Sequence, residues 1–353
     1  MEILLSGVVA FAMCLLITPF LIKLLKRLKA IDYGGGRKIH KGVIPTMGGL
    51  AIFVAAMATI PIFSDVIEFS WRIHYFLGAV SLMFLMGFTD DAINLKASRK
   101  LLIMIIGGTM VYMSGIKIDS LYGFFGIQEI PPVASYLVTV FTIIVIINAY
   151  NLVDGIDGLA SGLGITTLGC FAVWFVLMDN MFLALFCVAF TGALIAFLRY
   201  NWSPARIFMG DTGSLTIGMV CAICTIMFIR ENQAMDPSDP LRFRGYVAAG
   251  ATFVVYPLYD TLRVFIIRML NGCSPLSPDT RHTHHYLLKL GYSHRKTATI
   301  ILLCNVFCMA LFWTMSYFMR SYYVVPIMLA VSLVTALLLQ YIEKKHKLIN
   351  IEH

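Results

Sequence analysis

Charge is scarce in this chain: only 13% of its 353 residues are Asp, Glu, Lys or Arg, against about a quarter in soluble globular domains. Hydrophobic residues make up 59%, and no polar stretch is long enough to set apart as a soluble domain. The bilayer is therefore read as the solvent, and residues 1–353 as a single integral-membrane domain. Internal repeats and low-complexity tracts are missing, which weighs against the repeated halves common among secondary transporters. The first apolar run, Ile3 to Ile22, lacks the basic start and small-residue cleavage site of a secretory signal, so it is read as a retained span. Seven of the eight cysteines (Cys14, Cys170, Cys187, Cys221, Cys224, Cys304, Cys308) fall in apolar runs, where a thiol packs as a small hydrophobe. Cys273 falls in a loop, the Cys221/Cys224 spacing has no histidine beside it, and no disulfide is assigned.

What the chain has in plenty is apolar runs of the length a helix needs to cross about 30 Å of hydrocarbon. They lie near residues 3–22, 47–64, 74–90, 101–117, 134–152, 159–178, 181–198, 213–229, 246–267, 297–318 and 323–342. The fold class expected is all-α, a polytopic transmembrane helical bundle of about eleven spans. An odd count puts the termini on opposite sides. Placing the C-terminal tail and the loops after alternate spans, beginning with the first, on the inside gathers 21 of the 27 Lys and Arg there. The positive-inside rule then sets the N-terminus outside and the C-terminus in the cytoplasm. The net charge of +8 fits that topology first, and attraction for anionic lipid heads or phosphate-bearing substrates second. Nucleic-acid binding has no other support. Trp71, Tyr75, Trp202, Tyr256 and Tyr322 near span ends suit an interfacial aromatic belt.

Five polar constellations fall on the inner side of this topology, which was drawn from basic residues alone. In the first inner loop Arg37, Lys38, His40 and Lys41 lead into Pro45-Thr46-Met47-Gly48-Gly49. A Gly-rich helix start with free N–H groups suits a phosphate, although a positive-inside turn accounts for the loop equally well. Asp90 and Asp91 close the third span, where the helix dipole and their mutual repulsion both disfavour them. A divalent cation, a shared proton, or Lys96, Arg99 or Lys100 could compensate. The segment Asn148 to Gly158 carries two amides, Asn148 and Asn151, followed by two Asp-Gly turns that place Asp154 and Asp157 in a short loop. Asp211, at the start of the eighth span, reads equally as a helix cap or as a ligand of Mg²⁺, which takes one or two protein oxygens and completes its shell with water and phosphate. The last inner loop, Ser277 to His285, holds Arg281 and three histidines. No Cys or Glu completes a zinc set there, so they read as donors to a diphosphate. Cations, paired carboxylates and a Mg²⁺ site at a membrane surface together suggest phosphoryl transfer involving a lipid.

These motifs resemble the polyprenyl-phosphate N-acetylhexosamine-1-phosphate transferases over nearly the whole chain. The shared elements are P-T-M-G-G from Pro45, D-D at Asp90, N-x-x-N-L-x-D-G-x-D-G from Asn148 and F-M-G-D-x-G-S from Phe208. The loop S-P-L-S-P-D-T-R-H-T-H-H is similar to the bacterial undecaprenyl-phosphate N-acetylglucosamine-1-phosphate transferases. The phospho-MurNAc-pentapeptide transferases of murein synthesis carry three histidines followed by Phe-Glu, a pattern missing here. The resemblance implies attack of undecaprenyl phosphate on a UDP-N-acetylhexosamine, release of UMP, and a lipid-linked sugar diphosphate that starts a cell-envelope polysaccharide. It also implies eleven spans in the bacterial inner (plasma) membrane with the active site on the cytoplasmic side, and it leaves a homodimer open.

By position, the resemblance makes Asp211 a ligand of Mg²⁺ or Mn²⁺ with Asn151 beside it, and Asp90, Asp91, Asp154 and Asp157 catalytic. Asn148, Thr46, Lys38, His40, Arg268, Arg281, His282, His284 and His285 become substrate-binding. Asp90 is expected to orient the acceptor more than to deprotonate it, because a phosphate monoester with second pKa near 6 is already largely dianionic at pH 7. A secondary transporter would instead gather its polar residues at mid-membrane. An intramembrane aspartyl protease is suggested only by Tyr259-Asp260 and Gly210-Asp211. Asp260 with Arg263, one turn apart, reads better as an internal ion pair.

Overall fold

A computed structural model describes residues 1–28, 44–63, 71–270, 272 and 282–349. Thirteen α-helices and one isolated β-bridge, Ser120 to Glu129, form the secondary structure described apart from a single 3₁₀ turn at Phe124–Gly126. They fall into two units, Met1–Glu231 and Asn232–His353.

The first unit contains α1 (Glu2–Arg27), α2 (Gly49–Ile62), α3 (Trp71–Ile93), α4 (Ala97–Met113), α5 (Pro132–Val153), α6 (Leu159–Leu177), α7 (Met181–Asn201) and most of α8 (Gly210–Ala234). Helix α7 packs on α1, α2 and α6, and α4 on α3 and α5. Within the apolar stretch of α8, 94% of the residues are buried, against 28% for α1. Helix α8 is thus the core of the unit, while α1 turns Leu4, Val8, Leu16 and Phe20 outward, as a lipid-facing helix does. Lipid tails are as apolar as the side chains they touch, so helices in a bilayer associate through close packing of small residues. A Cβ placed on Gly49 would stand 2.1 Å from Gly213 N, and one on Gly87 2.3 Å from the carbonyl oxygen of Asp211. These two contacts seat the N-terminal end of α8 against α2 and α3.

The second unit contains α9 (Tyr246–Thr252), α10 (Val255–Leu270), α11 (Thr283–Lys289), α12 (His294–Phe318) and α13 (Ser321–Ile349). Helices α9, α10 and α11 each pack on α12 and α13. Leu303, Phe307, Leu311, Leu329, Leu333 and Leu337 face outward.

Seven described helices are long and apolar enough to cross a membrane, and two shorter apolar helices accompany them; the protein is a multi-pass membrane protein. Helix α4, in place of the expected run 101–117, is in neither group, and another expected span is interrupted. The run 246–267 is not continuous but breaks between Thr252 and Val255 into α9 and α10. Pro257, in the first turn of α10, is tolerated where its missing N–H would lack a partner anyway. The seven described cysteines are all free, and Cys187 and Cys224 meet as thiols with 3.4 Å between sulfurs.

Candidate active site

Asp90 and Asp91 are adjacent in the chain but do different work. Asp90, itself buried near the end of α3, accepts from Leu95 N at 2.7 Å and from Lys100 Nζ at 2.5 Å. Asn94, in a left-handed conformation with φ 51°, turns the chain back so that the first turn of α4 brings Lys100 to this point. The same Nζ lies 2.9 Å from Asp211 Oδ2. Lys100 is thus one of the expected compensating groups, in contact with Asp90 of the pair.

Asp91 reaches away from Asp90 to the start of α8. Its Oδ1 accepts from Asp211 N at 2.9 Å, and its Oδ2 from Thr212 N at 3.0 Å and Thr212 Oγ1 at 2.5 Å. Asp154 Oδ2 accepts from Gly210 N at 3.1 Å. Two carboxylates from other segments therefore satisfy the first N–H groups of α8 and sit at the positive end of its dipole. Helix capping does explain Asp91, but the helix it caps is α8 rather than its own. Asp211 is consequently not the cap of α8. It lies inside the first turn, with its carboxylate free to face Lys100.

Asp211 Oδ1 accepts from Asn151 Nδ2 at 2.8 Å, and the same amide nitrogen lies 3.0 Å from Ser214 Oγ. The nitrogen faces Asp211 here, so Asn151 holds that carboxylate as a hydrogen-bond donor. Asn148 lies apart: its exposed amide turns back to Ile144 O at 2.8 Å and Met104 Sδ at 3.4 Å. Asp157 is buried and accepts from Ala205 N at 3.2 Å. The expected phosphate cradle at the start of α2 is already occupied. Gly48 N donates to Phe208 O and Gly49 N to Met209 O, both at 2.9 Å, while Phe208 N donates to Pro45 O. These bonds tie the P-T-M-G-G segment, with half-buried Thr46, to F-M-G-D. Lys38, His40 and Arg281 lie outside the described residues.

Asn201 was not expected at the site, and Lys100 was expected only as one of three cations able to compensate Asp90 and Asp91. Buried Asn201 accepts from Gly158 N at 3.1 Å and Ser161 Oγ at 2.8 Å and donates to Ile207 O at 3.0 Å, joining the loops that carry Asp157 and Asp211. Its signal in sequence is faint, a lone amide closing an apolar helix. Lys100 had a clearer one, a lysine one short turn beyond an uncompensated carboxylate pair.

The chemistry of this donor set suits a cation. Asp90 and Asp211 both touch one ammonium, so they lie within a few ångströms of each other, where like charges repel by a few kcal/mol at the effective dielectric of a protein surface. Lys100 balances one of the two, leaving an excess of negative oxygen. Among the described residues no three His, Cys, Asp or Glu converge as a full metal cage. Mg²⁺ does not require one, since one or two carboxylates with water and phosphate complete its octahedron.

The second unit holds its own polar cluster. The histidine segment is not extended: His282 stands just before α11, and His284 and His285 lie in its first turn. The rings of His282 and His284 are parallel with centroids 5.7 Å apart, and His285 is 4.3 Å from His284. His284 is buried, and burial, reinforced by the neighbouring His285, holds its pKa down to about 3. The expected pair forms, with Arg263 NH2 3.3 Å from Asp260 Oδ1, but Asp260 also accepts from His282 Nδ1 at 2.8 Å. Arg268 is buried in α10.

Residues 73–229 match the model of glycosyl transferase family 4, a stretch running from α3 to α8 and holding the whole carboxylate cluster. The chain is 30% identical to a Bacillus subtilis (strain 168) protein named a probable undecaprenyl-phosphate N-acetylglucosaminyl 1-phosphate transferase, over 86% of this chain and 82% of that one. It is 32% identical to the decaprenyl-phosphate N-acetylglucosaminephosphotransferase of Mycolicibacterium smegmatis (86% and 79% covered). With the undecaprenyl-phosphate alpha-N-acetylglucosaminyl 1-phosphate transferase of Yersinia pestis it shares 29% identity (77% and 73% covered). Carboxylates meeting at the head of a buried helix, in a membrane chain that aligns with these transferases over most of its length, place the protein in glycosyl transferase family 4.

Proposed function

We propose that the protein transfers N-acetylglucosamine-1-phosphate from UDP-N-acetylglucosamine to undecaprenyl phosphate. It releases UMP and leaves the lipid-linked sugar diphosphate that begins a cell-envelope polysaccharide. The observation that carries this reading is the convergence of Asp90 and Asp211 on one ammonium at the head of α8, in a family whose compared members are named as undecaprenyl- or decaprenyl-phosphate N-acetylglucosamine-1-phosphate transferases.

The acceptor phosphate is largely dianionic at neutral pH, so the reaction asks little of a general base. Its barrier falls through in-line positioning and charge neutralisation. Lys100, held by Asp90 and Asp211, supplies a fixed positive charge for a phosphate oxygen, and Asp90 orients that ammonium. Asp91, Asp154 and Asn151 keep Asp211 in register by gripping the helix and the carboxylate that present it. Asp211, with Asp90 across from it, would hold Mg²⁺, which when bound neutralises the diphosphate of the donor. The histidines of the second unit, with Arg268, are assigned to binding the donor. The basic residues support a topology of eleven crossings in the bacterial inner membrane, α9 and α10 forming one broken crossing, with the site facing the cytoplasm.

The test is product analysis with purified protein, UDP-N-acetylglucosamine and undecaprenyl phosphate. Mg²⁺-dependent UMP release with a chloroform-soluble sugar diphosphate is expected. Release of UDP instead, or no turnover with any UDP-N-acetylhexosamine, would overturn the assignment.

A further inference from the structure

Asp260 is fully inaccessible in α10, beside apolar neighbours. Burying a carboxylate costs several kcal/mol unless it is paired and its oxygens are hydrogen-bonded. Arg263, one turn along the same helix and 3.3 Å away, already balances the charge. Yet Asp260 takes three further bonds from two residues more than twenty positions away. Oδ2 meets His282 Nδ1 at 2.8 Å, while Oδ1 accepts from Thr283 N at 2.8 Å and Thr283 Oγ1 at 2.6 Å. The carboxylate thus grips the point where the histidine segment enters α11.

This grip has a chemical consequence for one ring. An ionised carboxylate only accepts, so the proton of the contact sits on His282 Nδ1. The ring is fixed in orientation and its other nitrogen, Nε2, is the one left to meet a ligand; it makes no hydrogen bond among the described residues. When Nε2 is also protonated, the imidazolium carries its charge between Asp260 and whatever anion it faces. A histidine turned the other way would lack that backing.

We propose that Asp260 is a positioning residue for donor binding: it orients His282 so that Nε2 donates a charge-assisted hydrogen bond to the diphosphate of the nucleotide-sugar. This rests on the reading above that the histidine segment binds the donor. Asp260 touches no substrate itself and acts through His282. Thr283 serves the same end by locking the carboxylate in place, and Arg263 by pairing with it.

The experiment compares steady-state kinetics of the full-length chain, Asp260→Asn, His282→Ala and the double variant, varying UDP-N-acetylglucosamine and polyprenyl phosphate separately. A charge-assisted bond corresponds to about a tenfold change or more. Asp260→Asn is expected to raise KM for the nucleotide-sugar about tenfold and leave KM for the lipid unchanged. The double variant is expected to be no worse than His282→Ala alone, because the two residues act as one unit. Additive losses, or a fall in kcat with both KM values unchanged, would sink the positioning role. An unchanged donor KM in His282→Ala would defeat the histidine reading itself, a separate failure. Should Asp260→Asn not fold, ¹⁵N spectra of wild-type histidines decide. A protonated Nδ1 on His282 is expected, and a ring protonated only at Nε2 overturns the proposal.

Discussion

Among the described residues, the carboxylates Asp90 and Asp211 of the first unit and Asp260 of the second are compensated to different degrees. In the second unit Asp260 is sealed: its side chain is 0% exposed, its ion-pair partner Arg263 2%, and both oxygens are saturated by groups of the chain. In the first unit Asp90 and Asp211 share one lysine whose side chain is 26% exposed. A saturated carboxylate has nothing left to offer a ligand and can act only by holding a neighbour. An under-compensated pair with one part-exposed member, Asp211, retains affinity for a cation. Burial alone would have ranked Asp260 first as a functional residue. Unmet charge ranks Asp90 and Asp211 above it.

The largest effect that would test this contrast is Asp211→Ala, which removes the only member of the open pair mounted on α8. Turnover should fall at least about a thousandfold while the detergent-solubilised protein keeps its elution profile. A loss of less than tenfold would mean that the open pair is not the reacting centre. Lys100→Met comes next, with kcat expected to drop about a hundredfold. If activity survived that change, the lysine would be only a placeholder between the carboxylates. Asp91→Asn should behave differently, lowering thermal stability by about 1–2 kcal/mol through the weakened cap of α8. An inactive Asp91→Asn protein with unchanged melting would move Asp91 from the helix cap to the chemistry. The smallest expected effect lies in the sealed cluster. Thr283→Val deletes one of four bonds to Asp260 and should raise donor KM only about fivefold, the equivalent of roughly 1 kcal/mol. A larger loss there than in Lys100→Met would reverse the ranking.

Much of the helical architecture was legible from hydropathy because a bilayer imposes one length on every crossing. The break between Thr252 and Val255 was not, since the residues on either side of it, Ala248 to Tyr256, carry no charge. Within the site, residue types told which groups would be polar out of proportion to need. They did not tell their partners. Asp90 and Asp91 look identical in sequence, and only the path of the chain turns one toward Lys100 and the other toward α8. Gly48 and Gly49 show the converse limit: a glycine-rich helix start announces close approach, but what approaches is the backbone at Phe208 and Met209 rather than a phosphate. Asp260 was read as half of an i,i+3 pair, which it is; its grip on His282 spans 22 positions, beyond the reach of local pattern.

The lysine shared by the open pair is ten residues from Asp90 and 111 from Asp211. Synthesis runs from the N-terminus, so the α3–α4 hairpin carries its acid and its base into the membrane together, and each can discharge the other while α8 has yet to be made. Helix α8 then adds its bare N–H groups to Asp91 and Asp154 and its Asp211 to the same ammonium. The lysine of the site thus has one partner that is local in sequence and one that is distant.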